Sequence, residues 1–408
     1  MWSFPLKIMG KRLPLTQLDH TQWQRLFDFA ALVALVCFLI YVGAETWLVR
    51  GVDFRGYYAA ARVALAGGNP YDYHLVSRVL LTVTGEMGNN PYYYPPWFCL
   101  LIIPFAFLPF QIARLAWIAL NVILFWLGAY LALDALEWRV RGWRRWLVVL
   151  SAAYLFFWVS MRSEQLGTAL FALGALSLWA HRRQKSWLAG IALALLLTKP
   201  NVTWLMVPCL GLLYWKHQRR AVWWALGTLA VLLLVSTLAL PGWYRAFTEP
   251  DFGAGLTMEL DGPDRVKSGR LNTVLSDWLR PWGIQGAAYW VIWGAMALGS
   301  VLVLWLAWRR VGHPVYLLSL ASAAGLLLTP YALQYDYPPL ALALFWIWRA
   351  WQNMPPARRW ITTAILVFVL VVPLWERPVY DGYWILLGIS IVLLLNDELW
   401  RPQARTIE

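Results

Sequence analysis

Charge is scarce in this chain. Asp, Glu, Lys and Arg make up 13% of its 408 residues and hydrophobic residues 61%, where an ordinary soluble domain is about a quarter charged. No polar stretch is long enough for a separate soluble domain. Histidine occurs five times, and the three cysteines, Cys37, Cys99 and Cys209, all fall inside apolar stretches. Neither a structural disulfide nor a metal cage is expected from them. The chain has no GxxxxGK[ST], HExxH or CxxC and no GxGxxG opening a soluble βαβ unit, which disfavours an ATPase or a metal-dependent hydrolase. No metal cofactor is expected. Internal repeats, common in transporters, are missing as well.

What is present is a succession of apolar runs from residue 28 to residue 396, separated by short polar breaks. About 20 residues cross a bilayer, fewer where neighbours shield the ends. The pattern predicts an all-α polytopic membrane protein, one membrane domain over 1–408 with about 12 transmembrane helices. Expected spans are 28–49, 114–137, 146–161, 165–180, 187–198, 202–215, 221–240, 287–308, 314–330, 337–351, 360–375 and 383–396. The first lacks a small-residue cleavage site and reads as an uncleaved span. Thirty Trp and 19 Tyr suit the membrane interface, where amphipathic rings anchor.

The net charge of +13 is split into short basic clusters between apolar runs. They form no face or stripe for nucleic acid and read as topology signals and anionic-lipid contacts. The segment 94–110 is apolar but broken by Pro95, Pro96, Pro104 and Pro109. If it is re-entrant or interfacial, 21 of the 34 Lys and Arg fall on one side, with 7 of the 21 Asp and Glu. That asymmetry places both termini and the basic loop 138–145 in the cytoplasm. Two long loops then face outward, 50–95 and 241–286, the first expected to carry amphipathic helices lying on the membrane. The short turns 162–165, 198–201, 331–337 and 375–383 face the same way, so chemistry is expected on the outer face.

Asp53 lies just past the first span. It reads either as a partly desolvated proton acceptor or as the N-cap of a helix over 54–66, followed by the turn GGNPYD. YYYPPW (92–97) reads as a stacking platform for a sugar ring or as an interfacial aromatic belt before a helix with Pro in its first turn. Glu164 and Gln165 occupy a tight turn that needs polar residues, yet a Glu at a membrane boundary also needs a partner or water. Lys199, in LTKPN between two short spans, is costly there unless it binds an anion such as a lipid phosphate or snorkels to headgroups. Arg265, Lys267, Arg270 and Arg280 in the second long loop suit phosphate oxygens, or are neutralised by Asp261, Asp264 and Asp277. Asp336, among Tyr331, Tyr335 and Tyr337, marks an aromatic-lined polar pocket or one more interfacial turn.

Taken in order, these segments resemble the GT-C glycosyltransferases, and among them family 87, which includes polyprenol-phosphate-mannose-dependent alpha-mannosyltransferases. That family's Asp, tyrosines and Gly–x–x–Pro–Tyr turn match Asp53, Tyr57, Tyr58, Gly67, Pro70 and Tyr71. Its Tyr–Pro–Pro entry matches Tyr94, Pro95, Pro96 and Pro104. Its Gly–Gln turn is Glu164–Gln165, so only the glutamine matches. Its Lys–Pro break is Lys199–Pro200. Its Asn segment followed by Arg is similar to Asn272 and Arg280, with Thr273 and Val274 in place of the usual Gln and Ser. Its Pro–x–x–x–Tyr–Asp turn matches Pro330, Tyr335 and Asp336, and the His some mannosyltransferases place nearby is missing.

The resemblance implies a GT-C-type fold and an inverting glycosyltransferase of the cell envelope. It would move a hexose (mannose-like) or a pentose from a polyprenyl-phosphate donor to a hydroxyl of a lipid-linked or glycan acceptor. Asp53 would be the base, with Lys199, Arg270 and Arg280 on the donor phosphate. Tyr57, Tyr71, Glu164, Gln165, Asn272, Tyr335 and Asp336 would orient sugar and acceptor hydroxyls. The partners are then the lipid donor, the acceptor and membrane lipids, without nucleic acid. A polysaccharide polymerase or ligase using a diphosphate-lipid donor, or a lipid or solute transporter, stays open beside this reading.

Overall fold

A computed structural model of the chain describes residues 53–85, 92–138, 143–247, 282–329 and 332–371, with short pieces and isolated residues elsewhere. Arg270, Asn272 and Arg280, and most of the first and last expected spans, lie outside the described residues. Apart from a short antiparallel pair, β1 (Leu6–Ile8) and β2 (Lys11–Leu13), the described elements are helical.

The described residues of the loop 50–95 include two amphipathic helices, as the sequence predicts. In α1 (Phe54–Leu65) most residues are buried, with Phe54, Tyr57, Tyr58 and Ala61 at i, i+3, i+4, i+7 spacing among them, and Arg62 and Leu65 are exposed. In α2 (Tyr73–Thr84) the buried residues are Val76 and Leu80. Gly67, at φ 77°, takes the chain out of α1, a conformation glycine adopts without steric cost. The next helix, α3 (Pro96–Ala106), carries Pro in its first turn and ends at 11 residues. At 1.5 Å per residue it reaches about 16 Å, roughly half the hydrocarbon thickness. Helix α1 docks on its end: Tyr58 Oη donates to Leu108 O at 2.9 Å and Arg62 Nη1 to Ala106 O at 3.2 Å, satisfying carbonyls that a helix C-terminus leaves open.

Among the described residues, three helices are long and apolar enough to cross a membrane: α4 (Phe110–Ala135), α11 (Arg219–Ala239) and α12 (Gly286–Arg310). Between α4 and α11 run α5 (Trp143–Ala152), a π-helical turn (Ala153–Phe157), α6 (Trp158–Arg162), α7 (Gly167–Arg182), α8 (Ser186–Leu196), the single turn α9 (Pro200–Thr203) and α10 (Met206–His217). After α12 come α13 (Pro314–Leu328), two 3-10 turns (Gln334–Asp336 and Pro338–Leu340), α14 (Ala341–Trp351) and α15 (Pro356–Val371). Within the described residues, the expected spans from 114–137 to 360–375 fall on these helices with shifted ends. The spans read as starting at 202 and 337 begin instead with the short turn α9 and with the 3-10 turns, because Pro200, Pro338 and Pro339 interrupt the backbone ladder there.

The helices divide by what covers them. Nearly every residue of α13 is buried, whereas Ala307 is the one buried residue of α12. Exposed Trp290, Val291, Leu298 and Val301 on α12 form a surface suited to lipid. Helices α8 and α11 approach closely at Gly190, where a Cβ would lie 2.4 Å from Ala221 O; small residues permit such contact in membrane interiors.

The core has two parts. One is built around α4, α7, α13 and α14. The other gathers α1, α3 and the start of α4 around Phe54, Phe98 and Trp117, with Phe54 stacked on Trp117 at 5.4 Å between ring centres. The polar cluster described next lies where the two meet.

Candidate active site

Two aspartates occupy the position before a helix in the loop 50–95, and they behave differently. Asp72 caps α2, its carboxylate accepting from His74 N at 2.9 Å and Leu75 N at 3.0 Å. Asp53 makes no side-chain cap on α1. Its Oδ2 instead accepts from Gln165 Nε2 at 2.6 Å, across 112 residues of sequence. The capping reading of Asp53 therefore gives way to a carboxylate turned into a polar cluster.

Gln165 is the hub of that cluster. Its Oε1 accepts from Tyr57 Oη at 2.8 Å, Lys199 Nζ at 3.0 Å and Tyr94 Oη at 3.1 Å. An ammonium can only donate, so the amide oxygen must face Lys199 and the NH₂ must face Asp53. Lys199 continues the chain, donating to Asp336 Oδ1 at 2.5 Å. Asp336 Oδ2 accepts from Leu333 N at 3.1 Å, which fixes its 3-10 turn. A hydrogen-bonded line thus runs from Asp53 through Gln165 and Lys199 to Asp336.

Each member arrives by a local device. Lys199 follows the end of α8, and Pro200 opens the next turn. Lys199 is 4% exposed, with its Nζ 5.0 Å from the centre of the Tyr335 ring and 5.7 Å from that of Tyr94. Snorkelling to headgroups is not its arrangement; an opposite charge and two aromatic faces surround it. Asp336 reaches the cluster because Gly167, the first residue of α7, lets the 3-10 turn lie against it. A Cβ at Gly167 would sit 2.2 Å from Tyr335 O and 2.7 Å from the Pro338 ring. Gly167→Ala is therefore expected to destabilise the protein by about 1–3 kcal/mol through overpacking, seen as a lower melting temperature in detergent. An unchanged melting temperature would show that the turn can move aside.

The remaining predicted residues take supporting places. Tyr71 Oη donates to Tyr94 O at 2.7 Å and so holds the tyrosine that reaches Gln165. Glu164 is fully buried in the turn between α6 and α7 and is ion-paired to Arg114. Burial pushes its carboxyl up to about 7, with Arg114 pulling the other way. Glu164 also has φ 54°, a left-handed conformation that costs a non-glycine residue roughly 1–2 kcal/mol.

Sequence reasoning placed Tyr94 in a stacking platform but not in this hydrogen-bond network. Arg114, Trp117 and Thr198 carry no local signal of a role, and Trp97 stands in the sequence only as the end of YYYPPW. Trp97 Nε1 donates to Thr198 Oγ1 at 3.3 Å, tying α3 to the Lys199 turn, and Trp117 Nε1 donates to Glu164 O at 2.9 Å. Among the three carboxylates, Asp53 is partly exposed while Glu164 and Asp336 are buried. Among the described residues no group of His, Cys, Asp and Glu could hold a metal ion.

Comparison with known proteins adds the following. Among solved structures, the crystal structure of ArnT from Cupriavidus metallidurans in the apo state is similar at 17% identity and a TM-score of 0.38, covering 90% of this chain and 78% of that one. No curated protein matches. The family model for glycosyltransferase family 87 matches residues 92–330, a stretch that holds Tyr94, Arg114, Glu164, Gln165 and Lys199. The chain therefore belongs to glycosyltransferase family 87 and is a membrane glycosyltransferase.

Proposed function

We propose that the protein transfers a hexose or pentose from a polyprenyl-phosphate donor to a hydroxyl of a lipid-linked or glycan acceptor, with inversion, on the outer face of the cytoplasmic membrane. The observation that carries the reading is the Asp53 carboxylate, uncommitted to helix capping and held by the Gln165 amide at 2.6 Å. It is the partly exposed carboxylate of the cluster.

In this reading Asp53 takes the proton of the acceptor hydroxyl as its oxygen attacks the anomeric carbon. The bond from that carbon to the phosphate oxygen breaks, and its electron pair leaves on the polyprenyl phosphate. Asp53 accepts that proton as a carboxylate, and the Gln165 N–H holds its Oδ2 in place. The departing phosphate needs positive charge and hydrogen-bond donors. Lys199 would supply a donor, its charge largely balanced by Asp336, and Arg270 and Arg280 of the second long loop would supply net charge. Tyr57, Tyr71, Tyr335 and Asn272 would orient hydroxyls. A donor whose phosphate lies in the leaflet fits a cluster fed by two amphipathic juxtamembrane helices.

The test uses purified protein in vesicles with labelled polyprenyl-phosphate mannose, its pentose analogue and a polyprenyl-diphosphate sugar. Transfer from a monophosphate donor with inverted anomeric configuration is the expected result. Transfer from the diphosphate donor alone would place the protein with polymerases or ligases, and lipid movement without transfer would make it a transporter.

A further inference from the structure

Arg114 and Glu164 form a buried ion pair with no task in the reaction proposed above. They are 4% and 0% exposed, and Arg114 Nε donates to Glu164 Oε1. Trp117, three residues beyond Arg114 on the same helix, donates its indole N–H to the Glu164 carbonyl at 2.9 Å. Residues three apart share a helix face, so α4 grips Glu164 twice, once by its side chain and once by its backbone. The gripped residue has the left-handed φ of 54° that glycine takes without help. The next residue is Gln165, through which Asp53, Tyr57, Tyr94 and Lys199 are joined.

We propose that Arg114, seconded by Trp117, is a positioning residue. It holds Glu164 in the left-handed turn and so aims the Gln165 amide at Asp53. The proposal rests on Asp53 as the site's base, but its geometry can be tested separately. In this reading Arg114 acts on the reaction through Glu164 and Gln165. In this chain an ion pair does what glycine's freedom would otherwise do at position 164.

The experiment compares Arg114→Leu, Gln165→Ala, their combination, and Arg114→Leu with Glu164→Gly. With polyprenyl-phosphate mannose as probe, Arg114→Leu is expected to lower kcat on the order of tenfold to a hundredfold, the cost of a misplaced group, with little change in KM. In the Gln165→Ala background the same substitution should add nothing. Glycine at 164 needs no grip, so Arg114→Leu with Glu164→Gly should recover most of the lost rate. The geometric arm uses Asp53→Cys with Gln165→Cys in a chain freed of Cys37, Cys99 and Cys209. A short bis-thiol reagent should join the pair well, poorly when Arg114 is Leu, and well again when Glu164 is also Gly. Full cross-linking with Leu at 114, or no recovery with Gly at 164, overturns the proposal. Failure of the wild type to use the probe counts against the donor reading, and cross-linking still decides this one.

Discussion

Asp53→Asn is expected to fold, to bind the donor lipid and to lose transfer by a factor on the order of 10² to 10⁴, the usual worth of a positioned base. Asn is close to Asp in shape and caps helices as well. Asp53 makes no side-chain cap on α1 in any case, so stability should hardly change. The Asn side-chain oxygen can still accept from Gln165 Nε2, which faces this position. Single-turnover transfer in vesicles, with donor binding measured alongside, checks the outcome. Near-normal transfer would remove Asp53 from the reaction. Asp336 would be the next carboxylate to test, although its bond to Lys199 suits a supporting role better.

Lys199→Met should have the largest effect on stability. Methionine fills the volume but leaves Asp336 buried, with its partner gone and 0% of its surface exposed. Breaking a buried pair on one side typically costs about 3–5 kcal/mol. Lys199→Met combined with Asp336→Asn removes both charges and should recover most of that loss. Donor affinity is expected to behave differently. Losing one charge-assisted hydrogen bond to the phosphate costs roughly 1.5–3 kcal/mol, and the second substitution does not replace it. Melting temperatures and donor-lipid binding of the two variants separate the roles. Recovery of both quantities together would make Lys199 a purely structural cation.

Much of this site was legible because the chain is so poor in charge. In a mostly apolar sequence, Asp53, Gln165, Lys199 and Asp336 stand out at breaks between apolar runs, and a polar residue there needs a reason. Whether Asp53 caps a helix or serves the cluster was not legible, since both tasks favour the same residue type. Only the bond from Gln165, 112 positions away, separates them. Arg114 was opaque for a related reason. It stands at the edge of an apolar run, where an arginine ordinarily reports topology, and its partner lies 50 residues on in another helix's turn. Helix lengths misled more mildly. Span boundaries near 200 and 337 were read from hydropathy, but prolines there give the backbone a turn before the helix begins. The tight approach at Gly167 depends on a neighbour from another element, which no local pattern announces.

The π turn at Ala153–Phe157 has its own consequence for the polar cluster. A wider turn lodges one extra residue in the helix, and one residue corresponds to about 100° of rotation about an α-helical axis. Everything downstream, Glu164 and Gln165 included, is turned by that angle relative to the face that α5 packs with. The compass bearing of Gln165 is thus set about ten positions upstream, in a segment of Ala, Tyr, Leu and Phe that holds no ionisable group except a phenol. For this enzyme, the length of that greasy stretch matters as much as its chemistry. A one-residue slip there would keep the segment apolar and still point the hub away from Asp53.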